Sequence, residues 1–177
     1  MKKFGIIIGL IITFLVIYFL QINIFENLTI NGVIPNLFVI YILFIGLFAN
    51  QFLGISFGIG VGLILDSLYG KTIGLTALML CIIGYLGSYF DKNFSKENKF
   101  TIIFMVLGVT FIFELGTYFM NSIILEFERE YFSFFKILTI ECLYNVLLTI
   151  IIYPVIQKIG YMMDRSFKRN NILTRYF

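Results

Sequence analysis

Residues 27–65 read NLTINGVIPNLFVIYILFIGLFANQFLGISFGIGVGLIL and contain no charged side chain. As one helix at 1.5 Å per residue this stretch would run roughly 58 Å, about twice the hydrocarbon core of a bilayer. It therefore has to fold back. Its only adjacent polar pair beyond the opening turn, Asn50-Gln51, is where the reversal is expected. Pro35 suits the first turn of the helix before that reversal, where its missing N–H costs nothing.

Outward from this stretch the pattern repeats. Apolar segments of the length needed to cross a bilayer, about 20 residues, run over about residues 4–25, 33–49, 52–69, 72–90, 100–125 and 137–157. Pro154 lies inside the last and is expected to kink it. Over all 177 residues 60% are apolar and 13% charged, with a mean hydropathy of +0.98. A soluble domain carries about 25% charged residues, and disorder needs the opposite composition. The chain reads as an all-α membrane protein: one polytopic domain over residues 1–177, folded as a compact bundle of six transmembrane helices. Lys2-Lys3 before an apolar run suits the opening of a signal peptide. The run is too long, however, and no small-x-small cleavage site follows, so it is expected to remain as a span.

The basic residues orient the bundle. With the N-terminus in the cytosol, six crossings return the C-terminus there. The cytosolic segments then hold Lys2, Lys3, Lys92, Lys96, Lys99, Lys158, Arg165, Lys168, Arg169 and Arg175, against Lys71, Arg129 and Lys136 outside. That asymmetry is the one that sets topology, and an odd number of spans would put one basic cluster on the wrong side.

Function classes fall away on the same composition. The longest hydrophilic stretch, residues 125–136, is too short for a domain and reads as a loop. There is no His, which removes the commonest general base and metal ligand. Cys81 and Cys142 lie in apolar segments and read as small buried hydrophobes. No catalytic, cofactor-binding or metal-binding residue is expected, nor nucleic acid as a partner, since the basic residues scatter over short loops.

Small residues recur every four positions at Gly54, Gly58 and Gly62. Asp66 continues the row, and Gly70 and Gly74 extend it into the turn and the fourth helix. Residues four apart share a helix face, and helices in lipid associate by close packing through such residues. The row reads first as internal packing and second as a docking ridge for a partner helix. Asp66 sits at the C-terminal end of its helix, where the macrodipole disfavours an acid. It reads equally as a solvated or Lys71-paired carboxylate or as a contact point for another chain.

These residues resemble a family. Pro35-Asn36-Leu37, the run from Gly58 through Gly62 and Asp66 to Gly70, Gly74-Leu75 and Gly84-Tyr85-Leu86-Gly87 look like the bacterial rod shape-determining membrane protein MreD; Asn145 and Pro154 also fit its pattern. The match is best from about Pro35 to Phe90, and Asn50-Gln51 replaces a turn that often carries a basic residue in the family. The resemblance implies a multi-pass protein of the bacterial plasma membrane with a fold similar to the substrate-binding subunits of energy-coupling-factor transporters. It implies a role in cell elongation beside the bitopic protein MreC, the actin-like MreB filament and a wall glycosyltransferase/transpeptidase pair. No catalytic residue is carried over with it.

Two carboxylates lie within spans, Glu114 and Glu141. An acid facing lipid at the centre of a helix costs roughly 2.5–3.5 kcal/mol on insertion scales, so both are expected to face protein. Depth counted from the helix ends puts Glu114 level with Asn145, and the expected polar cluster is Glu114, Asn121, Glu141 and Asn145. Interhelical hydrogen bonding is favoured over a proton relay for it. The resulting functional reading is a non-catalytic membrane scaffold that holds partner helices near wall synthesis. The alternative is a substrate-binding membrane subunit of a vitamin-type transporter, and a membrane enzyme ranks third.

Overall fold

Among the residues that the computed structural model describes (2–69, 72–96, 98–124 and 131–167) the chain forms six α-helices. They are α1 (Lys2–Leu20), extended by a π-helical turn over Gln21–Phe25, α2 (Leu37–Phe48), α3 (Gln51–Tyr69), α4 (Leu75–Asn93), α5 (Lys99–Ile124) and α6 (Tyr131–Phe167). Four helices are long and apolar enough to cross a membrane: Lys3–Phe25, Gln51–Tyr69, Lys99–Ile124 and Tyr131–Phe167.

Side-chain amides start the helices of the uncharged stretch. Asn36 Oδ1 accepts the Val39 N–H at 3.3 Å and caps α2, and Asn50 Oδ1 accepts the Leu53 N–H at 2.8 Å at the start of α3. Each satisfies an N–H that has no partner inside the helix. The reversal accordingly falls at Ala49-Asn50, with Gln51 already helical. Pro35 does not occupy the first turn of α2 but precedes its cap. Before it, Asn31 and Gly32 take φ of 51° and 78°, and Ile30 and Val33 exchange two backbone hydrogen bonds of 3.0 Å across them. Such an Asn-Gly pair with both φ positive makes the tight turn of a two-residue hairpin.

The expected second span, 33–49, is thus a helix of 12 residues entered through an extended segment. At about 18 Å it is shorter than the hydrocarbon core, yet every one of its residues is buried. It is the centre of the bundle, enclosed by α3, α4, α5 and α6. The sixth span also differs. Instead of 137–157 it runs from Tyr131 to Phe167, past Pro154, so half of the expected outer loop is helix. Its first turns pack on α5 through Phe134, on which Tyr118 stacks with ring centroids 4.1 Å apart.

α2, α3 and α4 meet backbone to backbone. A Cβ placed on Gly84 would run into the Gly54 carbonyl, and one on Gly46 into the Gly84 carbonyl. A Cβ on Gly87 would lie 2.5 Å from Leu43 O. Ser88 Oγ donates to Gly46 O at 2.8 Å in the same layer. Side chains there would add nothing that lipid does not already offer, whereas close backbone approach gains dispersion over the whole helix length.

One end of the bundle is fastened by charge. Lys96, between α4 and α5, donates to Asp91 on α4 and to Asp164 on α6, both at 2.8 Å, and its Nζ lies 5.3 Å from the Phe48 ring centre at the end of α2. Burial pulls the Lys96 pKa down, the two carboxylate bonds push it up by more, and the net direction is up. A Lys96→Met variant should lose about 1–2 kcal/mol, more than an exposed ion pair gives and less than a fully desolvated one. Because the folded-state pKa is raised, this contribution is complete at neutral pH. It disappears only as pH rises through and beyond the ordinary lysine value of 10.5. Thermal unfolding of both proteins in detergent at pH 7 and pH 11 checks this: the gap between them should be full at the first and narrower at the second.

Candidate functional site

Asp66 is 3% exposed and accepts three backbone N–H groups across the turn into α4: Gly74 at 2.8 Å and Thr76 and Ala77 at 3.2 Å each. It is therefore not a solvated carboxylate; the expected pairing with Lys71 and the place of Gly70 lie outside the described residues. Its unfavourable place at the C-terminal end of α3 is a favourable place at the N-terminal end of α4, where orphan N–H groups and the positive end of the macrodipole meet an anion. Gly74, at φ 97°, is the α4 cap and supplies one of the donors, a backbone conformation that a side chain would strain.

The glycine row faces the same helix. A Cβ on Gly54 would sit 2.7 Å from Gly84 O, one on Gly58 would meet Leu80 O, and one on Gly62 the backbone of Ala77. The row is filled by α4 of this chain. A different pair of glycines is open: nothing among the described residues lies within 4 Å of a Cβ on Gly5 or Gly9 of α1. Of the α1 side chains only Leu10 and Phe14 are buried among those described.

In the polar cluster, α5 and α6 pack so that residues one turn apart on one helix meet residues one turn apart on the other. Glu141 meets Glu114, their carboxyls within hydrogen-bonding reach, and Asn145 Nδ2 donates to Thr110 Oγ1 at 3.1 Å. Asn145 Oδ1 accepts the Asn36 N–H at 2.8 Å and so ties the start of α2 to both helices. The structure draws Glu114, Glu141 and Asn145 together; Asn121 stands two turns further along α5. The partner of Glu114 is thus Glu141 and not Asn145. The error was in register: α6 starts six residues before the expected start at Ile137, which slides the helix by more than a turn. A cavity of about 250 Å³ adjoins the cluster, lined by Asn36, Phe38, Leu65, Tyr69, Thr76 and Phe113 among others.

Two fastenings escaped the sequence reading. Asn36 stood in a quoted motif without a role, and its signal was its place directly before an apolar helix and after a proline. Lys96 was counted only as a loop charge, and nothing in sequence marks Asp91 and Asp164 as its partners. Among the described residues no three His, Cys, Asp or Glu side chains gather as a metal site would require.

Comparison with known proteins places this arrangement. No curated protein and no solved structure matches the chain. The family described as rod shape-determining protein MreD matches over residues 1–163. That span takes in every helix up to the last turn of α6, the Asp66 cap and the Glu114–Glu141 pair, and the chain belongs to the MreD family of bacterial shape-determining membrane proteins.

Proposed function

We propose that this chain is a non-catalytic scaffold of the cell-elongation machinery in the bacterial plasma membrane. All six helices cross the bilayer in this reading, with both termini in the cytosol, so that the Lys96 end faces inward and the Asp66 end outward. Its partners are an MreC-like bitopic protein and, beside it, the wall glycosyltransferase/transpeptidase pair and an MreB-like filament. The observation that carries this is the contrast between the two glycine rows: Gly54, Gly58 and Gly62 are covered by α4, while nothing among the described residues covers Gly5 and Gly9. A smooth stripe on a peripheral helix is the surface a partner's membrane helix packs on. The charged groups of Asp66 and Lys96 are taken up by internal bonds.

The test is a pull-down of the tagged full-length chain in mild detergent, read by mass spectrometry. An MreC-like protein and wall synthase should be recovered. A Gly5→Leu, Gly9→Leu double variant should unfold at the parent temperature, since both positions are open, and should lose at least ten-fold of that recovery. Recovery of ATP-binding transporter subunits in place of wall proteins would overturn the reading, and full recovery by the double variant would remove α1 as the docking helix.

A further inference from the structure

Three polar atoms on facing sides of α5 and α6 are wholly buried without a hydrogen-bond partner among the described residues: Glu141 Oε1, Thr117 Oγ1 and Tyr118 OH. Glu141 is 6% exposed. The Glu114 carboxyl meets it from α5, and Asn36 and Asn145 face it, yet no amide or hydroxyl donor comes within bonding distance of its Oε1. Thr117 and Tyr118 lie three and four residues beyond Glu114, so they share its face of α5.

An ionised carboxylate is only an acceptor, so two carboxyls that hydrogen-bond each other hold at least one proton between them. With one proton shared, the pair still carries one negative charge. The titratable groups that act on one another here are Glu114, Glu141 and Cys142, and among the described residues no Lys or Arg interacts with either carboxyl. A bare charge of this kind between membrane helices is costly unless something positive occupies the site. The two carboxylates offer oxygen donors, which suit a hard cation. Access is also built in. Asn36 both faces Glu141 and lines the cavity between the start of α2, the end of α3 and α4, whose rim includes the exposed Tyr69; Phe113, beside Glu114, forms part of its inner wall.

We propose that Glu114 and Glu141 form an intramembrane site for one positive charge, a proton or an alkali cation, reached from the bundle surface through the cavity beside Asn36. The site goes beyond scaffolding and does not depend on which partners dock. Occupied, the pair is neutral and bonds α5 to α6; empty, it places an uncompensated charge in their interface.

Dicyclohexylcarbodiimide, an apolar reagent that adds to protonated carboxylic acids, tests this on the full-length chain in lipid nanodiscs, with peptide mass spectrometry as readout. An adduct is expected on Glu114 or Glu141. Its rate should fall by about ten-fold per pH unit above the site's midpoint, the signature of a single proton. If sodium chloride slows labelling at fixed pH and choline chloride does not, an alkali cation competes for the same site; if both salts leave it unchanged, the ion is the proton. Leu65→Trp, which fills the cavity, should slow labelling several-fold. Glu141→Gln removes the like charge beside Glu114 and should shift the pH midpoint of any Glu114 adduct downward, and should that variant fail to fold, the pH and sodium dependence of the parent decides alone. No adduct on either glutamate at any pH, or labelling indifferent to both pH and sodium, overturns the proposal.

Discussion

A Gly84→Ala variant is expected to unfold well below the parent temperature, and Gly84→Leu to give no folded protein. The reason is the identity of the atoms a Cβ would meet. At Gly84 these are the carbonyl of Gly54 and, at 3.0 Å, the N of Ile55; at Gly54 they include Gly46 Cα at 2.9 Å. All are backbone atoms, so none can turn away as a side-chain tip would. Relief requires α3 and α4 to separate along their length, and α2 with them, because Gly46 and Gly87 sit in the same junction. Overpacking by a single methyl costs about 1–3 kcal/mol in a close-packed interior, and leucine adds enough volume to exceed a stability of about 5–15 kcal/mol. Gly60 and Gly108 provide the control. Nothing lies within 4 Å of a Cβ at either, and both are helical, so alanine there should be neutral or stabilise by up to about 1 kcal/mol through helix propensity. Thermal unfolding followed by size-exclusion chromatography separates these outcomes. If Gly84→Ala tolerated heat as well as Gly60→Ala, the three-helix glycine junction would not be the centre of this fold.

What could be read from the sequence, and what could not, divides along a physical line. Apolar runs and charge-free length report burial, so the helix count, the reversal near Asn50 and the small-residue face of α3 were all legible. Their limits were not. Pro35 was expected inside α2 because proline suits a first turn, but Asn36 after it is the better cap and moves the start from residue 33 to Leu37. The extension of α6 to Phe167 lies beyond the apolar stretch and is held by groups such as Asp164, whose ion pair with Lys96 spans 68 residues. Asp66 posed the same difficulty: its helix of residence argued against it, and the helix it serves begins across a turn. Glu114 shows that height along a helix does not name a partner, since a register error of one turn exchanges Glu141 for Asn145. The sequence offered four polar residues for that cluster and no way to rank their pairings.

Asp66→Ala should be among the most damaging single substitutions outside the glycine junction, because it strips an acceptor from three N–H groups at once. The carboxylate bonds Gly74, Thr76 and Ala77 from a site 3% exposed, so water cannot stand in for it without opening the turn. Loss of a capping side chain costs about 0.5–2 kcal/mol, and each buried donor left without a partner adds about 1–3 kcal/mol. Taken together these reach at least about 3.5 kcal/mol, and with the turn relaxing to recover part of it the expected loss for alanine is about 3–5 kcal/mol. The amide is the informative intermediate. Asp66→Asn keeps one oxygen of the two, and with it a cap, but gives up the charge that the α4 macrodipole favours and points an amide donor at N–H groups. The order of unfolding temperature should therefore be parent, then Asp66→Asn, then Asp66→Ala, with the amide variant losing about half as much. The same series distinguishes a cap from a docking contact. If Asp66 works through α4, partner recovery in the pull-down should fall only as far as the folded fraction falls. If Asp66→Asn kept the parent's unfolding temperature and still lost its partners, the carboxylate would be read by another chain and the internal cap would be incidental.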